Sequence, residues 1–218
     1  MKILAVEFSS EERSVAVVQV GGNAGPGLLG RAVESGVHRA LGLVEEALRG
    51  ARCEREEIET IAIGLGPGSY TGIRGAIALA QGWQLGRGVN LIGLSSVECL
   101  AAGAEQEKLF GPINIIVDAQ RDEFYLARYE IAAGARRLVE PLHLAALAEI
   151  EKRDAVGEKI VGPDIASWFP RAINLYPDAA MLGSLAVGRR DFVSGDKLEP
   201  IYLRETAFKK APPLRIVP

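Results

Sequence analysis

Histidine and cysteine are nearly missing from this sequence, with two of each among 218 residues. Cys53 and Cys99 stand far apart, with neither metal-ligand spacing nor the pattern of a disulfide framework, and read as buried or incidental thiols in a reducing compartment. His38 and His143 lie in unrelated contexts, so no HExxH pair or other two-histidine helical site can form, and catalytic zinc or iron is not expected. His38 reads as a solvated or capping residue rather than a base. No GxSxG elbow occurs, and neither histidine has a recognisable nucleophile partner. No run of about 18 uncharged apolar residues exists, and Glu7, Glu11 and Glu12 come too early for a secretory core or a membrane span, so the expected location is the cytoplasm with no membrane partner. A basic excess is missing as well. With a net charge of -3, the chain lacks the balance of a protein that holds nucleic acid alone.

What is present is ordinary for a folded protein: 48% hydrophobic and 24% charged residues. Residues 2–6 and 14–20 read as two strands of a hairpin, and 28–33 as a third strand after a turn rich in glycine. Val37, Leu41, Val44 and Leu48 then fall at helical spacing on a helix that Gly50 can end. A buried strand at 60–64, a helix at 71–86, a strand at 90–94 and a helix capped by Ser95 complete a βββαβαβα half. After a charged junction, strands at 113–117 and 124–129, a helix near 142–151, a strand near 159–161 and a helix near 179–189 suggest a second copy of the plan. The fold class is α/β, with a first lobe at 1–108 carrying the partner-binding helices and a second lobe with a tail at 109–218.

Residues 64–75, GLGPGSYTGIRG, are the sharpest local signal. Glycines permit positive φ and close approach, Pro67 fixes a turn dihedral, and Ser69 or Thr71 can cap the helix that follows. Glycines before a helix also suit a phosphate cradle, but neither the Walker lysine nor the dinucleotide fingerprint is here. Gly66, Pro67, Gly68, Ser69, Thr71 and Gly72 therefore read first as a structural turn. Between Gly75 and Gly86 no residue is charged, so this helix needs cover on every side. Ile73, Ala76, Ile77, Ala80 and Trp83, with a shallower stripe of Ala40, Leu43 and Ala47 on the preceding helix, form the candidate partner interface. The competing reading is that both helices are interior. In the first hairpin turn, Glu7, Glu11 and Glu12 would repel phosphate unless a metal intervened. Asp118 and Arg121, after an apolar strand, either face a ligand or pair across a turn.

Several stretches carry a family resemblance. ILAVEFSSEERSVAVV at 3–18, IAIGLGPGSYTGIRGAIALAQGWQLG at 61–86, VDAQRDEFYLARY at 117–129 and EPIYLR at 199–204 resemble the motifs of the TsaB family. The GPGSYTGIR run is shared with the catalytic relative TsaD, and the missing histidine metal pair points to TsaB. The resemblance implies an actin-like ATPase (ASKHA) fold in two ribonuclease-H-like lobes, without independent catalysis, intrinsic cofactor or metal, leaving room for weak ATP or ADP binding. It also implies a TsaD-type catalytic partner, which transfers threonylcarbamoyl to the adenosine beside the anticodon, a TsaE-type ATPase, self-association as a homodimer, and tRNA met only through the complex. Glu7 departs from the usual Asp, and Leu43-Val44-Glu45 from the usual Leu-Leu-Pro. The alternatives are a stand-alone actin-like ATPase or kinase and a metal-dependent glycopeptidase-like hydrolase.

Overall fold

The chain alternates short apolar strands with helices, and a computed structural model describes residues 1–20, 27–36 and 40–203. The glycine-rich turn before residue 27, Val37, His38 and the tail beyond residue 203 lie outside the described residues. Strands β1 (Lys2–Glu7), β2 (Glu12–Gln19) and β3 (Gly27–Ser35) form an antiparallel meander. Then come helix α1 (Ala40–Ala51), strand β4 (Thr60–Gly64), helix α2 (Tyr70–Arg87), strand β5 (Asn90–Leu94) and helix α3 (Ser96–Gln106). β4 pairs parallel to β1 and β5 parallel to β4, giving the order β3-β2-β1-β4-β5.

The second half repeats the plan with one loss. Strands β6 (Gly111–Asp118), β7 (Glu123–Ala132) and β8 (Ala135–Ala146) form a meander, followed by helix α4 (Leu147–Ala155), strands β9 (Lys159–Gly162) and β10 (Ile173–Asn174), and helix α5 (Ala179–Ala186). The order β10-β9-β6-β7-β8 mirrors the first sheet, but only a 3-10 turn at Ile165–Ser167 stands where α2 would be. Residues 142–146 continue β8 rather than beginning a helix, because Leu144 and His143 pair with Tyr125 and Leu126 of β7.

Period-two alternation assigns each strand's side chains to opposite faces. Leu4, Val6, Val15 and Val17 pack under α1 and α2, whereas Ile3, Ala5 and Ala16 pack under Leu182 and Ala186 of α5. In the second sheet, Ile113, Ile115 and Val117 meet Val97, Leu100 and Ala104 of α3, and Ile116 and Leu126 meet Ile150 of α4. The last helix of each half thus covers the sheet of the other half, α5 being tied to β2 where Ala179 N donates to Ser14 Oγ at 2.9 Å. The terminal segment also returns to the first sheet, through the Leu91–Val193 bridge and the bond from Ile201 N to Leu65 O. A boundary at residue 108 divides the sheets but not the packing.

Caps explain the helix ends. Ser69 Oγ accepts from Gly72 N at the start of α2, and Gly88, with φ 70°, closes it. Ser95 caps α3 and Asp178 caps α5. Gly50 does not end α1. The helix passes through it, and the left-handed residue is Arg52, with φ 49°.

Candidate functional site: an interlobe cleft and an exposed helix face

Glu7 ends β1 with its carboxyl fully buried. Ser9 N donates to Oε1 and Ser96 Oγ to Oε2, both at 2.8 Å, while burial pushes the carboxyl pKa up. A Cβ on Gly64 would lie 2.1 Å from Glu7 Oε2, so a side chain there would displace the carboxyl from its bonds to Ser9 and Ser96. The expectation that Glu7 repels phosphate is corrected: the side chain is folded into the protein, not presented to a ligand.

The glycine loop lies directly on the first hairpin turn. Gly68 has φ 146°, and a Cβ there would stand 2.0 Å from Ser9 O. Ser69 N donates to that same carbonyl at 2.7 Å, and Gly66 N donates to Ser96 Oγ. Gly66, with φ 85°, precedes Pro67 through a cis peptide bond. Thr71 is exposed and does not serve as the cap. The amides of Gly66, Ser69 and Gly72, which a phosphate cradle would use, all donate to protein acceptors.

Between the sheets lies a cleft of about 600 Å³. Its described lining includes Ser9, Ser10, Gln120 and Tyr125, with three carboxylates, Glu11, Asp118 and Asp164, and no lysine or arginine. Asp118 accepts from the backbone and side-chain nitrogens of Gln120, and no Asp118–Arg121 ion pair is found among the described residues. Gln120, Arg121 and Asp122 instead adopt left-handed backbone, with φ near 60° (64°, 62° and 59°), which turns β6 into β7.

The helix faces differ from the sequence-based expectation. On α1, Leu43, Val44, Ala47 and Leu48 are buried, Ala40 is partly buried against the same core, and Leu41 is 65% exposed. Leu43 and Ala47 are therefore core residues rather than an outward stripe. The core direction lies between the two stripes, with Glu45, Glu46 and Arg49 outside. On α2, Ile73, Ala76, Ile77 and Ala80 are buried in the chain's own core and Trp83 is partly buried, so they are not a free surface. The outward face is built from Thr71, Arg74, Gly75, Ala78, Gly82 and Leu85, the last 89% exposed. That signal was present in the sequence as small residues four, three and four apart. A third side of α2 is covered by the terminal segment, with Gln81 Nε2 donating to Gly195 O and Gly195 N to Gln84 Oε1, each at 2.7 Å.

His143 is less isolated than its sequence context suggests. Its ring and the carboxylates of Glu140 and Glu149 place one atom each within 4.8 Å of one another. The charge there is already met by Arg153, which donates to both oxygens of Glu140 at 2.9 Å and to Glu149 at 2.8 Å. The same arginine lowers the pKa of Glu140.

Comparison with known proteins agrees with this architecture. The family model of TsaD, tRNA N6-adenosine threonylcarbamoyltransferase, matches residues 31–188. The tRNA threonylcarbamoyladenosine biosynthesis protein TsaB of Escherichia coli K12 is 29% identical over 97% of this chain and 99% of its own. Its Haemophilus influenzae counterpart is 24% identical over 97% and 98%. A solved Pseudomonas aeruginosa protein described as similar to the peptidase YeaZ superposes with a TM-score of 0.76 at 26% identity, covering 93% of this chain and 99% of its own. Matched along most of its length in sequence and in structure, the chain belongs to the threonylcarbamoyltransferase (TsaD-like) family, in its TsaB, or YeaZ, branch.

Proposed function

We propose that this chain is a non-catalytic subunit of the machinery that forms threonylcarbamoyladenosine on tRNA, next to the anticodon, and that it acts by seating a TsaD-type catalytic subunit. The outward face of α2 carries this reading: Gly75, Ala78, Gly82 and the 89% exposed Leu85 make a strip of small and apolar residues on an 18-residue helix, bordered by Thr71 and Arg74 at its start, with exposed Leu41 on α1. Small side chains let a partner helix approach closely, and burying a leucine contributes about 1.5–3 kcal/mol. A TsaE-type ATPase joins the assembly, two copies of the chain pair through the same strip when the catalytic subunit is absent, and tRNA is held through the complex.

Chemistry in the cleft is disfavoured by its lining, which offers a nucleotide three carboxylates and no cation among its described residues. We accordingly propose no resident cofactor and at most weak ATP or ADP binding. The stand-alone ATPase reading has no observation in its favour. The decisive experiment mixes the purified chain, and its Ala78→Arg variant, with a TsaD-type protein and measures binding by calorimetry. Binding by the wild type and at least a hundredfold loss in the variant, with an unchanged melting temperature, supports the proposal. Equal binding by both, or turnover of ATP by the chain alone, refutes it.

A further inference from the structure

Arg13 is the second residue of β2, on the side of the first sheet that α1 and α2 cover, and only 9% of it is exposed. Its guanidinium carbon lies 5.7 Å from the centre of the Phe8 ring, which covers one face of the group. Nη2 reaches the first turn of α2, 3.2 Å from where a Cβ on Gly72 would stand. Buried Nε has no hydrogen-bond partner, and no described carboxylate pairs with the group. Burial pulls its pKa down with no neighbouring charge acting against it, yet a guanidinium keeps its proton in a protein.

A fixed cation at this place is costly to the free protein. It stands at the positive end of an 18-residue helix whose first turn has no acidic residue, where a negative charge is favoured. A largely buried charge without an opposite partner destabilises, and an anion beside it offsets that cost.

We propose that Arg13, lying beside the first turn of α2, is a receptor for one carboxylate that the described chain does not supply. One guanidinium matches one carboxylate in charge and takes it through paired N–H bonds. A phosphate dianion would keep an uncompensated charge beside the buried Phe8 ring. The carboxylate comes either from an acidic side chain of the partner seated on α2, which rests on the function proposed above, or from a free small carboxylate.

The isolated chain tests the receptor without any partner. Melting is followed as chloride is replaced by acetate, or by phosphate, at constant ionic strength, for the wild type and for Arg13→Leu. The wild type is expected to gain several degrees in acetate, with saturation, while Arg13→Leu melts higher in chloride and gains nothing further. An equal acetate response in both proteins overturns the proposal, and so does a gain in phosphate without one in acetate. If Arg13→Leu does not fold, Arg13→Lys, which keeps the charge and loses the fork, is expected to lose most of the response. Binding to a TsaD-type protein separates the sources. A partner carboxylate makes Arg13→Leu bind at least tenfold more weakly and makes acetate compete with the wild type only. Equal affinities assign the site to a free carboxylate. Failure of the wild type to bind strikes the proposed function and leaves the acetate result standing.

Discussion

Ser96 Oγ donates to Glu7 Oε2 at 2.8 Å and accepts from Gly66 N at 3.2 Å, so one hydroxyl joins the end of β1, the glycine loop and the start of α3. The carboxyl held this way is more easily protonated than usual because burial outweighs the bonds from Ser9 and Ser96.

Stability should therefore depend on the protonation of Glu7. Its folded pKa lies above the unfolded value, so its proton favours the folded state below the unfolded pKa, and that contribution is lost as pH rises towards the folded pKa. Glu7→Gln removes the charge and keeps the shape. It is expected to melt higher than the wild type at neutral pH and to flatten the fall in melting temperature above about pH 4.5, each pKa unit being worth about 1.4 kcal/mol. Parallel wild-type and mutant slopes would contradict this.

Gly68→Val is expected to destabilise the chain. The added Cβ would collide with Ser9 O at 2.0 Å, and the backbone sits at φ 146°. Strain of this kind costs about 1–3 kcal/mol, with the collision in addition, and each kcal/mol lowers the melting temperature of a chain this size by about 2–4 °C. Calorimetry of the purified variant measures it. An unchanged melting temperature with lost complex formation would return the loop to a binding role.

Gly75→Ala and Gly82→Ala should do the opposite in isolation. A Cβ at either position meets nothing within 4 Å, so each change should raise helix stability by about 0.5–1 kcal/mol. Both glycines lie on the strip proposed for the partner, where an added methyl holds the second helix away. Thermal melts and binding titrations of the same samples are expected to move in opposite directions.

Arg153→Ala should cost about 1–3 kcal/mol, since the side chain satisfies Glu140, Glu149 and Asn114 together. In the wild type the guanidinium occupies the approach to these carboxylates, so zinc and EDTA should leave melting unchanged. In Arg153→Ala, zinc should raise it. A zinc response in the wild type would show that the arginine does not guard the cluster.

Much of the first sheet was legible because its signals are local. Short apolar strands, the glycine loop and Ser95 fix element order with little help from distant residues. Helix phase was not, since Leu41, Leu43 and Val44 are all apolar and only packing against β2 and β3 decides which face turns inward. Residues 142–146 read as helical on their own and are strand because β7 supplies partners. The surroundings of Arg13 and Glu7 could not be read, because burial of a charged side chain is decided by what lies across the sheet.

The exchange of α3 and α5 sets an order of events at birth. As the chain emerges from the ribosome, β1, β4 and β5 can pair early, but the face carrying Ile3, Ala5 and Ala62 stays bare until residues 179–186 have been made. Translation must pass residue 186 before the first sheet can close, and a product cut short before that point is left with an oily face exposed to chaperones and proteases.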